Sequence, residues 1–182
     1  MPNVTLYTDA SIDPRCGACG WGAWVRADGW KSGKTFSGFV RMPVWSTTNE
    51  AELTAVSEAM ATLLFWPNPP GINLMLGKDV MFLSSDSHNT LHCIYNLIPN
   101  SVISTNNLLY IAPKRKTGIN VTAYQRHRIR EIKDNLGRTV LMIKHVKGHQ
   151  KAGTVQAWVN RECDLNAKRQ MRRLREKMKN DK

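Results

Sequence analysis

Residues 3–9 (NVTLYTD) alternate apolar and polar positions, put Val4 and Leu6 on one face, and stop at the carboxylate of Asp9. Alternation of period two predicts a strand with one buried face. Residues 20–27 (GWGAWVRA) are rich in Trp and Val, Ala27-Asp28-Gly29 makes a turn, and residues 34–42 bring Phe36, Phe39 and Val40. Three strands joined by short turn signals predict an antiparallel meander. The period then changes. Leu53, Val56, Met60, Leu63 and Leu64 recur at helical spacing and define one buried face. Thr47 with Glu50, and Asn49 with Glu52, both have capping-box spacing ahead of it. Pro67, Pro69, Pro70 and Gly71 end the helix.

The nearly continuous apolar run 80–84 (VMFLS) has the character of a buried strand. Asp86-Ser87 follows it and can cap a short helix reaching about Leu97. Residues 98–120 hold Pro99, Pro113, Gly118 and a Lys114-Arg115-Lys116 run, which predicts an irregular excursion with one short helix around 106–111. A helix over 121–136 closed by Asn135 and Gly137, a strand over 139–146 (TVLMIKHV), and a last helix over 159–179 complete the chain. Ala167, Met171, Leu174 and Met178 form the apolar stripe of that last helix. Strands and helices alternating in this way predict one mixed-sheet α/β domain spanning 1–182.

Composition narrows the class. At 182 residues with 42% hydrophobic side chains, the chain can bury a core without staples. Its most apolar stretch, 59–66 with one Thr inside it, falls far short of the roughly 20 residues of a membrane span. The N-terminus has no basic n-region and no cleavable apolar stretch, so no secretory signal is expected. Four Cys without an export signal predict free thiols and a cytoplasmic location.

The net charge of +12 changes the picture more, because it is uneven. Residues 1–113 carry six basic and eight acidic side chains, residues 114–160 eleven and two, and residues 161–182 nine and four. Clustered Lys and Arg gain affinity for polyanions by releasing counterions from phosphates. A solvated surface and an anionic membrane are the rival readings; nucleic acid is favoured because the acidic half holds the conspicuous carboxylates.

Those carboxylates are Asp9 at the end of the first strand, Glu52 opening the first helix, Asp86 ending the fourth strand, and Asp164 early in the last helix. Singly, each is more often a cap or a surface charge. Strand ends and helix starts can converge on one sheet edge, where four carboxylates cannot all stay ionised without a counter-charge. A hard divalent cation such as Mg²⁺ is the natural one.

Seven local words bear on this: Thr8-Asp9-Ala10-Ser11, Gly20-Trp21-Gly22-Ala23-Trp24, Thr47-Thr48-Asn49, Ala51-Glu52-Leu53, Ser85-Asp86-Ser87, Val146-Lys147-Gly148-His149 and Asn160-Arg161-Glu162-Cys163-Asp164. In that order, over about residues 4–170, they resemble the ribonuclease H family, type 1. The resemblance implies a ribonuclease-H-like fold, a five-stranded mixed sheet with three antiparallel strands first, flanked by helices. It implies hydrolysis of the RNA strand of an RNA–DNA hybrid with two Mg²⁺ or Mn²⁺ ions, leaving a 3′-hydroxyl and a 5′-phosphate. Asp9, Glu52, Asp86 and Asp164 match the family's metal-binding carboxylates. Asp9 would bridge both ions, Asp164 would stand on the nucleophile side, and Glu52 and Asp86 on the leaving-group side. Glu50 rivals Glu52; the Ala-Glu-Leu word favours Glu52 and leaves Glu50 to the capping box. His149 matches a mobile loop histidine that handles protons and product departure.

The resemblance also places Thr48, Asn49, His88 and Cys16 where the family's backbone-contacting residues sit. Asn49 would touch the RNA-side minor groove, where the 2′-hydroxyl distinguishes RNA, and Thr48 a DNA phosphate. The excursion at 98–120 coincides with the family's basic protrusion, with Lys114, Arg115 and Lys116 as a handhold. A monomer acting on an RNA–DNA hybrid, with no membrane, is expected. The Cys16–Cys19 and His145–His149 pairs invite a zinc reading, but the halves are far apart and no zinc is expected. The Trp residues are read as core and sheet packing. Two rivals stay open: a catalytically inactive binding module of the same fold, and a superfamily nuclease acting on DNA or double-stranded RNA. Neutralising Lys114, Arg115 and Lys116 together should raise KM and flatten its salt dependence; steady-state rates at several salt concentrations check this, with turnover unchanged.

Overall fold

The computed structural model describes residues 3–65, 80–99, 101–103, 120–146 and 153–181. Six strands and four helices follow in the order β1 (Asn3–Asp13), β2 (Ala18–Ala27), β3 (Lys34–Arg41), α1 (Thr48–Phe65), β4 (Val80–Ser85), α2 (His88–Leu97), β5 (Ser101–Ile103), α3 (Ala123–Leu136), β6 (Val140–His145) and α4 (Val155–Asn180). They build one sheet ordered β3-β2-β1-β4-β6-β5. The first three strands are antiparallel, as expected, and the β1–β4, β4–β6 and β6–β5 pairs are parallel. The mixed α/β class holds, with six strands rather than five. The extra strand, Ser101–Ile103, falls in the stretch read as irregular. Three residues show no alternation to read, and their order comes from pairing with β6.

Alternation along β1 divides the core. Val4 and Leu6 pack with Leu53, Val56 and Met60 of α1, whereas Tyr7 packs with Val159 and Cys163 of α4. The helices therefore cover opposite faces of the central strands. β1 also runs four residues past Asp9, because its hairpin with β2 stays paired out to Asp13 and Ala18. Asp9 thus lies inside a strand and not at its end.

Capping chemistry sets the helix starts. Glu50 Oε2 accepts from the Thr47 backbone N–H at 2.8 Å while Thr47 Oγ1 accepts from the Glu50 N–H at 3.3 Å, so the realised box is Thr47–Glu50. The other Glu50 oxygen accepts from Thr122 Oγ1 at 2.7 Å, tying the start of α1 to the N-cap of α3. Ser87 caps α2, as its position suggested. Thr122 and Gln125 form a capping box, so α3 begins two residues later than read. Thr154 caps α4, which begins four residues before Val159. Two Trp residues depart from the packing reading: Trp45 is 75% exposed and Trp158 53%.

α4 lies directly on the backbone of β2. A Cβ on Gly20 would stand 2.1 Å from the Ala167 carbonyl oxygen, and one on Gly22 2.3 Å from that of Cys163. The glycines of the Gly20-Trp21-Gly22 word therefore let helix and sheet approach closely. Gly22→Ala forces backbone apart and should destabilise the protein by about 2 kcal/mol, lowering Tm by roughly 4–8 °C in a thermal melt.

Candidate active site

Three strand and helix registers converge on Asp9. The parallel pairing of Tyr7 with Ser84, continued two residues, brings Asp9 level with Asp86 just past the end of β4. The antiparallel pairing sets Asp9 opposite Gly22, whose close contact with Cys163 brings in the next residue of α4, Asp164. Glu52, in the second turn of α1, accepts from the Ala10 backbone N–H of β1 at 3.3 Å.

Oxygen atoms of Asp9, Glu52 and Asp86 all lie within 4.8 Å of one another. Asp164 lines the same cleft of about 550 Å³, with its carboxylate held by Lys168 at 2.7 Å. Thr48 and Arg161 also line it. Burial, then the negative charges of Asp86 and Asp164, push the Asp9 carboxyl up to about 7. Burial, then the negative charges of Asp9 and Asp86, raise Glu52 well above its ordinary range. A proton held on either carboxyl relieves repulsion that a cation would otherwise relieve. Glu52 Oε2 is buried with no hydrogen-bond partner. An orphaned carboxylate oxygen among all-oxygen donors fits a hard divalent cation such as Mg²⁺ or Mn²⁺.

Asn160 was not singled out by sequence. It is buried one helical turn before Asp164 and donates from Nδ2 to Asp86 Oδ2 at 3.4 Å. Its position at the head of the Asn160–Asp164 word, on the same helix face, was the available signal. His145 places Nε2 3.1 Å from the Asp86 carbonyl oxygen, and its ring stacks on His88 at 3.6 Å. His88 therefore stands beside Asp86 at the head of α2. Asn49 faces a second pocket with Thr90 and Val121. Cys16 lies in the β1–β2 turn, in a groove with Arg15 and Arg41 and not in the carboxylate cleft. All four cysteines are free, and burial pushes the Cys19 thiol up to about 12. His149 and Lys114, Arg115 and Lys116 lie outside the described residues.

A family model for RNase H matches residues 1–172. The chain belongs to the RNase H family. Solved structures agree in fold. RNase H1 from the halophilic archaeon Halobacterium salinarum NRC-1 is similar at TM-score 0.55 and 17% identity, over 93% of this chain and 97% of that one. The N-terminal RNase H domain of rv2228c from Mycobacterium tuberculosis, solved as a fusion with maltose-binding protein, is similar at TM-score 0.62 and 10% identity, over 98% and 99%. A comparison with curated proteins finds no match. Family and fold together support nuclease action on RNA–DNA hybrids. No helix among the described residues is long and apolar enough to cross a membrane.

The raised Asp9 carboxyl has a consequence for pH. Its proton is held more tightly in the folded RNase H than in the unfolded chain, so its stabilising contribution is complete below about pH 4. That contribution is lost as pH rises through about 7. Asp9→Asn, which removes the charge, should raise the Tm of the metal-free protein by several degrees at pH 8 and by much less at pH 5. Thermal melts with and without Mg²⁺ read this, and Mg²⁺ should narrow the pH 8 gap.

Proposed function

We propose that this RNase H hydrolyses the RNA strand of RNA–DNA hybrids with two divalent cations, Mg²⁺ or Mn²⁺, leaving 3′-hydroxyl and 5′-phosphate ends. The observation that carries the reading is the convergence of Asp9, Glu52 and Asp86 within 4.8 Å inside an RNase H fold, with Asp164 across the same cleft. Bound there, such ions would polarise the scissile phosphodiester and lower the pKa of a water.

The side chains have distinct tasks in this reading. Asp9, Glu52, Asp86 and Asp164 supply the oxygen ligands, with Asp9 central because strand, hairpin and helix registers all meet at it. Asn160 holds the Asp86 carboxylate through its amide. Lys168 holds the Asp164 carboxylate, keeping a fourth negative charge from adding its full repulsion to the other three. Thr48 and Arg161 line the cleft wall and are assigned to phosphate oxygens. Asn49, His88 and Cys16 are assigned to backbone contacts along the hybrid, Lys114, Arg115 and Lys116 to its DNA strand, and His149 to proton handling.

Incubation with end-labelled RNA–DNA hybrid, duplex RNA and duplex DNA, in Mg²⁺ or EDTA, tests this. The RNA strand of the hybrid alone should be cut, and EDTA should abolish cutting. Asp9→Asn, Glu52→Gln and Asp86→Asn should each lower kcat by about 100-fold or more while the protein stays folded. Cleavage of none of the three substrates would leave a binding module, and cleavage of duplex RNA or DNA a different nuclease.

A further inference from the structure

A second concave site lies at the far end of α4. Arg15, Arg41, Arg175 and Lys179 line a groove of about 830 Å³, against two carboxylates, Asp13 and Asp181. Asp13 is buried and holds Arg15 at 3.1 Å and Arg175 at 3.6 Å, which fixes both guanidinium groups from below. Arg175 Nε is itself buried without a hydrogen-bond partner. Arg41 and Lys179 are exposed and have no ion-pair partner among the described residues. Four cations against two carboxylates leave an excess of positive charge in the groove. Two of the guanidinium groups are pre-set, and Arg forks match phosphate oxygens in pairs.

The groove is joined to the carboxylate cleft in two ways. Arg161, Asp164 and Lys168 line the cleft, Arg175 and Lys179 the groove, and these five positions recur at helical spacing along one face of α4. At 1.5 Å per residue, Asp164 is about 16 Å from Arg175 and about 22 Å from Lys179 along the axis. A duplex presents one phosphate per strand every 3.4 Å or so, which makes the separation roughly five or six base steps. The second link is the segment between β3 and α1. Val44 lines the groove and Thr48 the cleft. Between them Trp45 is 75% exposed and holds a φ of 68°, a left-handed conformation that a bulky residue seldom adopts. Its backbone is pinned there by a 2.7 Å hydrogen bond from Trp45 N–H to the Pro14 carbonyl. A large indole kept out of the core on a strained backbone is a surface built for contact.

We infer that this groove is a second phosphate-backbone site, which grips the same nucleic acid about five or six base steps from the carboxylate cleft, with Trp45 as the apolar contact between the two. The inference rests on the function proposed above and adds a place to the substrate path. The groove supplies affinity and takes no part in bond cleavage. It accounts for the basic last helix, whose charge the carboxylate cleft alone does not use.

Binding of a fluorescent hybrid of about 20 base pairs by the 182-residue chain, titrated from roughly 50 to 300 mM salt in an Asp9→Asn background, tests it. Arg41→Gln/Lys179→Gln should weaken binding about tenfold and reduce the slope of log affinity against log salt by about two, one per lost phosphate contact. Arg41→Lys/Lys179→Arg should restore both. Trp45→Ala should weaken binding about fivefold with the slope unchanged, since the indole carries no charge. Trp45→Gly, free of the strain, should bind as weakly as Trp45→Ala while melting no lower. With Asp9 intact, Arg41→Gln/Lys179→Gln should raise KM and leave kcat unchanged. A parent protein that cuts hybrid, with a double variant unchanged in slope and KM, overturns the groove alone. A parent that binds hybrid through the groove but cuts nothing overturns the proposed function alone. A parent that binds no nucleic acid overturns both.

Discussion

The contact of α4 with the bare backbone of β2 is the constraint on which the rest of the structure depends. A helix seated on side chains stands about 10 Å from a sheet. Gly20 and Gly22 remove those side chains where helix carbonyls of Ala167 and Cys163 come closest. Gly22 is the hairpin partner of Asp9, so the closest approach falls at the level where the strand carries its carboxylate. Asp164 reaches the cleft because the residue before it touches glycine. Further contacts follow from the same seating. Cys163 bonds back to the Tyr7 carbonyl at 3.7 Å, Asn160 meets Asp86, and Arg175 meets Asp13.

That approach has an electrostatic consequence. Asp9 and Glu52 are buried, with Asp86 and Asp164 at their margin, and burial penalises each charge before any repulsion is counted. The fold tolerates the arrangement by raising the proton affinity of Asp9 and Glu52 and by engaging Asp164 with Lys168 and Asp86 with Asn160. A cluster that costs stability, and that a hydrophobic set could replace with profit to the fold, is the pattern expected where ligation and not packing dictates the residues.

Legibility in the sequence tracked the range of the interaction. Alternation exposed β1, helical spacing exposed α1 and the apolar stripe of α4, and apolar runs, turn signals, caps and breakers marked the other strands and the two shorter helices, because each reports a feature local to one element. The Thr47–Glu50 box and the Ser87 cap were readable for the same reason; their partners lie within three residues. Tertiary pairing was not readable. β1 continues past Asp9 only because β2 accompanies it to Asp13, and the three residues of β5 are ordered by β6 alone. From the sequence Trp45 counts as packing, because hydrophobicity cannot distinguish a core indole from one held outward by a positive φ. Asn160 was hidden for a different reason: its amide acts on a carboxylate 74 positions away, and no local pattern encodes that pairing.

The cleft and the basic helix are two requirements of one task and share one element. A cleft lined by carboxylates repels a phosphodiester, and cations bound there neutralise the charge only locally. Affinity for the rest of the backbone has to come from positive charge displaced far enough that it does not simply pair with the carboxylates. Lys168, one turn from Asp164, shows what proximity does: it is consumed in an ion pair at 2.7 Å. Arg175 and Lys179 lie about 16 and 22 Å along the axis, beyond the ~8–10 Å over which salt leaves charges in communication. A 26-residue helix, about 39 Å long, allows one face to present Asp164 in its first half and, toward its far end, Arg175, paired with Asp13, and Lys179, which has no ion-pair partner among the described residues. The length of that helix therefore sets the distance between the cleft and the proposed second phosphate site.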